Sequence, residues 1–220
     1  IVYGPTKMKT GFEALIGEDG QVFKLGNATI KLLHTPGHTM ESSCFLLSDE
    51  TGKETAIFTG DTLFIGDVGR PDLAQHDLTQ EKLAAHLYES LQNKILPLSD
   101  DLIVYPAHGA GSACGKNLSK ETSDTLGNQK KTNSALRPGI TKEVFINELL
   151  NGLMPPPGYF PKNVLMNING YDAIDDVMAR GKKALNVTEF EVVANETHAL
   201  IIDTRAEQKF AKAFIPNSIN

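Results

Sequence analysis

Thr35-Pro-Gly-His38-Thr, Thr59-Gly-Asp61-Thr and Tyr105-Pro-Ala-His108-Gly are the stretches whose reading decides the fold. Each follows an apolar, strand-like run: Ala28 to His34, Thr55 to Phe58 and Ile103 to Tyr105. Strand ends are rigid and the loops beyond them can be shaped, so several strands can aim ligands at one point as a metal ion demands. Imidazole and carboxylate are the ligand types expected there. A single His after a strand is ordinarily a satisfied structural residue, and an Asp after Gly is ordinarily a turn residue. Three such clusters in succession reverse that reading. Pro36 and Gly37 fix a bend that turns His38 inward, and Gly60 permits close backbone approach just before Asp61. His38, Asp61 and His108 are therefore the expected metal ligands.

Working outward, Gln21 to Leu25 and Ala28 to His34 are joined by Gly26-Asn27, a pair suited to a tight hairpin turn. A second hairpin joins Ser42 to Leu47 with Thr55 to Phe58 across Asp49-Glu50-Thr51-Gly52. Leu83, Leu87, Leu91 and Ile95 recur at every fourth position after a Thr79 cap, which predicts an amphipathic helix over Gln80 to Ile95 lying on a sheet. Thr141 to Leu153 reads as a helix stopped by Pro155-Pro156-Pro157, and Asn169-Gly170 marks a turn before a helix at Tyr171 to Arg180. Leu200-Ile201-Ile202 reads as a buried strand and Ala206 to Ala213 as a short helix, too little to bury a core alone. Ile1-Val-Tyr is strand-like from its first residue, so the chain is read as starting mid-fold and ending in the opening piece of something larger.

The 220 residues are 40% hydrophobic with a formal charge of −6, an ordinary globular balance that excludes a disordered or fibrous chain. The basic residues are scattered, which argues against a nucleic-acid surface and for a small-molecule partner. No run approaches the ~20 apolar residues of a membrane span, and no signal peptide is visible. Two cysteines make no disulfide framework, so the cytoplasm is the expected compartment. Assembly with further copies of the same chain stays open.

The three clusters, read as His34-Thr-Pro-Gly-His38-Thr, Phe58-Thr-Gly-Asp61-Thr-Leu-Phe and Tyr105-Pro-Ala-His108-Gly, resemble the later motifs of the metallo-β-lactamase superfamily. The resemblance implies an α/β (α+β) fold, the αββα sandwich of that superfamily, here incomplete in its N-terminal part. The earlier His-x-His-x-Asp-His motif of those proteins is absent, and would precede Ile1. Within the superfamily, Gly66-Asp-Val-Gly69-Arg70-Pro71-Asp72-Leu73 and Gly109-Ala-Gly-Ser-Ala-Cys114-Gly-Lys-Asn117-Leu are similar to persulfide dioxygenases fused to rhodanese domains. That likeness implies one Fe(II) held by two His and one Asp, with His38 and Asp61 as the matching pair and His108 in an outer position. In dinuclear zinc relatives the residue matching His108 is a ligand.

The resemblance also implies the substrates, a low-molecular-weight thiol persulfide and O₂, and the products, sulfite and thiol. Arg70 would face the anionic substrate, against the commoner reading of an Arg in a structural ion pair, and Cys114 would reach the metal pocket from a Gly- and Ser-rich loop, against the alternative of a buried inert cysteine. Cys44, in a strand of Phe and Leu, reads as a buried inert thiol, and His34, His76, His86 and His198 as ordinary residues. Residues 199–220 resemble the opening of a rhodanese-like α/β domain, with Phe214-Ile-Pro-Asn-Ser where those domains have His-Ile-Pro-Gly-Ala. The expected organisation is the C-terminal portion of a metallo-β-lactamase-like domain over 1–135, a helical connector and start of a second domain over 136–190, and the rhodanese-like opening over 191–220. The Gly-Asp-Thr-Leu-Phe and Gly-Arg elements are shared with glyoxalase II, a thioester hydrolase with two Zn, which is the rival expectation. A catalytically silent fragment or scaffold is the third.

Overall fold

A computed structural model describes residues 2–5, 9–73 and 78–220. Ile1 and His76 lie outside the described residues. Strands β1 (Val2–Tyr3) and β2 (Leu15–Ile16) pair in parallel. The main sheet follows in β3 (Val22–Leu25), β4 (Ala28–His34), β5 (Ser43–Ser48) and β6 (Glu54–Gly60). Helix α1 (Gln80–Ser90) then leads to β7 (Ile103–Pro106) and β8 (Asp124–Thr125), giving a six-stranded sheet in the order β3-β4-β5-β6-β7-β8. Pairing is antiparallel throughout except β6 with β7, the one place where a helix carries the chain over to the next strand.

Both expected hairpins form. Gly26 supplies the positive φ of the first turn at 61°. In the second, Asp49 Oδ1 accepts from the backbone N–H groups of Thr51 and Lys53, and Gly52 takes φ 82°. Cross-strand register sets one face of the sheet as Leu33, Cys44, Leu46, Ile57 and Val104. That face packs on Ala84, Leu87, Leu91 and Ile95 of the crossover helix and on Phe145 and Leu149. The helix is capped by Thr79 as expected, but its last turn, Leu91–Ile95, widens to a π-helical turn in which Leu96 N–H donates to Leu91 C=O at 2.9 Å. On the opposite face Phe58 and Tyr105 are half exposed, their rings stacked 5.6 Å apart.

Helices α2 (Leu126–Thr132), α3 (Lys142–Leu150) and α4 (Phe160–Asn169) complete the first compact unit, Ile1–Gly170. It runs past the expected boundary at 135 because Leu136, Ile140, Phe145 and Leu149 belong to the same core as the sheet. Helix α3 ends before the expected Leu153, with Gly152 at φ 72°. Helix α4 lies within the stretch expected as a helical connector, though this helix was not itself read from the sequence. The second unit, Tyr171–Asn220, holds α5 (Ile174–Gly181), α6 (Val187–Thr197), β9 (Ile201–Ile202), α7 (Glu207–Phe210) and β10 (Ser218–Ile219). Asn186 and Glu189 form a capping box that starts α6, a helix not read from the sequence. Strands β9 and β10 are parallel neighbours, and Asp203 at the end of β9 is gripped by Arg205. No helix among the described residues is long and apolar enough to cross a membrane.

Candidate metal centre

The loop after β4 is pressed against α1. Gly37 has φ 152°, and a Cβ there would stand 2.4 Å from that of Leu87, so only glycine lets the bend approach the helix. Ser90 Oγ donates to Pro36 C=O at 2.8 Å and closes the contact. Thr35, fully buried, bonds Thr62 Oγ1 at 2.9 Å and so ties the end of β4 to the turn after β6. At that turn Gly60 takes φ 52° and Ala107 N–H donates to its carbonyl at 3.0 Å, which joins the ends of β6 and β7. Three strand ends are thereby locked side by side.

Their polar tips meet. His38 Nε2 lies 3.2 Å from Asp61 Oδ2, with the two side chains only 13% and 15% exposed. His108 Nδ1 lies 3.1 Å from Asp61 Oδ1, but its side chain is 43% exposed. Oδ1 is nonetheless buried without a hydrogen bond, because the approach of His108 lacks hydrogen-bonding geometry. Burial pushes the Asp61 carboxyl up, yet its hydrogen bond with His38 and the charges of His38 and His108 outweigh this and hold it below the ordinary carboxylate value. Asp61 is an anion with one oxygen unsatisfied.

His38 is oriented from behind. Its Nδ1 stands 2.7 Å from the Arg70 carbonyl oxygen, which can only accept, so Nδ1 donates there and Nε2 is the nitrogen turned toward Asp61. An oriented imidazole nitrogen beside a buried carboxylate with one oxygen unsatisfied is an arrangement a metal cation suits. Among the described residues His38, Asp61 and Cys114 form the group of three metal-ligating side chains whose donor atoms all lie within 4.8 Å of one another. The residues present thus fit a metal ion.

The structure brings Cys114 into that group and leaves His108 beside it, at a single oxygen of Asp61. Burial and the neighbouring Asp61 carboxylate push the Cys114 thiol up, over the opposing help of Ser112 and Arg70. Arg70 departs from expectation. Its guanidinium is buried and engaged by both oxygens of Asp72 at 2.7 and 2.6 Å, by Met154 C=O at 2.6 Å and by Ala113 C=O at 3.4 Å, so four of its five N–H donors are taken within the protein. His34 is structural, with Nε2 2.7 Å from Met40 C=O, and Cys44 is fully buried. His86 lies on α1 near Glu89, and His198 is the left-handed cap of α6.

The sequence did not disclose how the intervening loop is held. Asp67 Oδ2 accepts from the N–H groups of Lys116 and Asn117, and Asn133 Nδ2 donates to the carbonyls of Phe64 and Asp67. Such contacts span tens of residues, and the one local signal was the Gly66-Asp-Val-Gly-Arg run itself.

A metallo-β-lactamase from Staphylococcus aureus superposes on 94% of this chain with a TM-score of 0.77 and 31% identity. The chain has the metallo-β-lactamase fold. ETHE1 from Myxococcus xanthus shares it over 76% of the chain, with a TM-score of 0.60 and 26% identity. By sequence, a hydroxyacylglutathione hydrolase of Haemophilus influenzae is 36% identical over 99 residues, 45% of this chain. No family model matches the chain. The chain spans 56% of the staphylococcal protein, and the matched stretch only 42% of the Haemophilus one. Members of the fold bind metal ions, and the pocket at the ends of β4, β6 and β7 is where this chain offers its donors.

Proposed function

We propose that this chain is part of a persulfide dioxygenase, which oxidises the outer sulfur of a low-molecular-weight thiol persulfide to sulfite and releases the thiol, in the cytoplasm, in sulfide detoxification. The observation that carries this reading is the thiol of Cys114 within 4.8 Å of the donor atoms of His38 and Asp61, which makes one compact position for a single metal with sulfur at its edge. The persulfide dioxygenase likeness of the Gly66–Leu73 and Gly109–Leu118 stretches supports it, as does the fold shared with ETHE1. His38 and Asp61 would hold one Fe(II), with His108 in reserve at the second oxygen of Asp61. Iron in such a site supplies open positions at which substrate and O₂ are brought together.

This chain's own residues prepare the place. The Arg70 carbonyl holds His38 Nδ1, so that Nε2 is the nitrogen that would coordinate the metal. Asp61 stays ionised because its histidine neighbours outweigh its burial. In balance, the persulfide S–S bond breaks, its outer sulfur takes two oxygen atoms from O₂ and one from water, and two protons leave with the sulfite. The tail over 191–220 is proposed as the start of a rhodanese-like domain serving the same sulfur chemistry.

A second reading has its own observation. Asp61 turns its two oxygens to two different histidines, as a carboxylate bridging two zinc ions would, and the Haemophilus relative is a hydroxyacylglutathione hydrolase. The full-length protein, purified without oxygen and assayed for metal content, O₂ uptake with glutathione persulfide and thiol release from S-lactoylglutathione, separates the two. One iron per chain with O₂ uptake and sulfite is the expected result. Two zinc ions and thiol release without O₂ uptake would overturn the dioxygenase reading.

A further inference from the structure

We propose that Arg70 is a positioning residue: locked by Asp72, it sets both the His38 imidazole and the Cys114 loop at one metal position. The proposal rests on the reading of His38 and Asp61 as metal ligands and assigns the group that aims them.

Arg70 touches both ligand-bearing loops at once. Its carbonyl accepts from His38 Nδ1 at 2.7 Å, and its N–H donates to Cys114 C=O at 3.0 Å. Its Nη1 reaches Ala113 C=O at 3.4 Å, on the same loop. The residue before it is pinned as well. A Cβ on Gly69 would stand 1.8 Å from the Asp61 carbonyl oxygen and 3.2 Å from His38 Nδ1, so the chain at 69–70 runs directly between the two ligand residues. One short segment thus meets all three members of the donor group.

The side chain explains why that segment stays put. A buried guanidinium is costly unless every charge has a partner in good geometry. Here the planar fork meets both oxygens of Asp72 and is completed by Met154 C=O at 2.6 Å. A fork held at both prongs cannot swing, and a fixed side chain fixes the peptide whose carbonyl selects the His38 tautomer. Lys would keep the charge and lose the fork, while Asn at 72 would keep the shape and lose the anion.

The test is Co(II) titration of the full-length protein beside R70K and D72N, at a temperature where each is folded without metal. ¹⁵N-histidine spectra of the metal-free forms accompany it. Expected are Co(II) dissociation constants raised about 10- to 100-fold in both variants. The His38 Nδ1 signal should move away from the position it has when bonded to the Arg70 carbonyl. A residue that merely stabilised the fold would lower the melting temperature and leave these two readouts alone. Folded variants that bind Co(II) as tightly as wild type, with His38 unchanged, would overturn the proposal. Should R70K not fold, D72N carries the test. Wild type that takes up no Co(II) would instead overturn the metal reading beneath it.

Discussion

His38 and His108 stand 3.2 and 3.1 Å from the two oxygens of Asp61, yet they are held in different ways. His38 has its far nitrogen on the Arg70 carbonyl, its loop backed by α1 through Gly37 and Ser90, and its side chain largely buried. His108 is 43% exposed, with its ring beside Phe64 at 6.1 Å, and among the described residues no hydrogen bond fixes its second nitrogen. Distance to the carboxylate does not separate the two. What separates them is how much orientation has been fixed before a ligand arrives, because an exposed side chain must lose rotational freedom on binding and a locked one has already lost it.

The largest expected effect follows directly. H38A should weaken metal binding by at least ~100-fold, beyond what loss of an orienting partner costs, whereas H108A should weaken it about tenfold or less. Anaerobic titration calorimetry with Fe(II) measures both. Equal losses would show that both imidazoles are metal ligands, which is what a bridging Asp61 in a two-zinc site requires.

How far this contrast could be read in the sequence depends on the range of the contacts behind it. The hairpins, the Thr79-capped helix and the three strand-end clusters were legible because period, turn chemistry and caps are local signals. The candidate ligands His38 and Asp61 stood out as members of an ordered set. The place of His108 outside the tight group and of Cys114 within it was implied by the persulfide dioxygenase resemblance but not by spacing, since it depends on where two loops come together. Nor was the engagement of Arg70, whose partner at Met154 lies 84 residues away. Helix α4 was hidden behind Pro155-Pro156-Pro157, which stops one helix without forbidding another. Helix α6 was hidden by its place in a segment of mixed polarity, although its capping residues Asn186 and Glu189 were in plain view.

A smaller effect probes the same contrast through glycines beside the two histidine loops. Gly69 lies against the Asp61 backbone, and a methyl there would stand 1.8 Å from a carbonyl oxygen that no side-chain rotation can move away. Gly109, next to His108, has nothing within 4 Å of such a methyl. G69A should therefore cost about 1–3 kcal/mol in urea unfolding. G109A should stay within about 0.5 kcal/mol of wild type. A neutral G69A would mean that the segment between Asp61 and His38 can yield, and the rigidity attributed to it would be lost.

The smallest effect concerns the two thiols, which repeat the locked and accessible pattern in another chemistry. Cys44 is fully buried between Thr35 and the β6 backbone, and burial pushes its thiol up to about 11 from an ordinary 9.0. Cys114 is half-buried at the pocket. Iodoacetamide at pH 8 should modify Cys114 in the folded protein and spare Cys44. The buried thiol also leaves a mark on stability, and its sign is fixed by which state keeps the proton. Between pH 9 and about 11 the unfolded chain ionises Cys44 while the folded chain holds it neutral, so the unfolded state binds fewer protons and stability falls as pH rises. The contribution is fully present below pH 9 and amounts to about 1 kcal/mol lost by pH 10. Other groups titrate in the same range, so the measurement is the difference between wild type and C44A in urea at pH 8 and pH 10. C44A begins less stable because it opens a cavity, but it should lose less on the way to pH 10. If both proteins lose the same amount, Cys44 ionises as freely folded as unfolded, and the core beneath the β4–β6 strand ends is wetter than its packing implies.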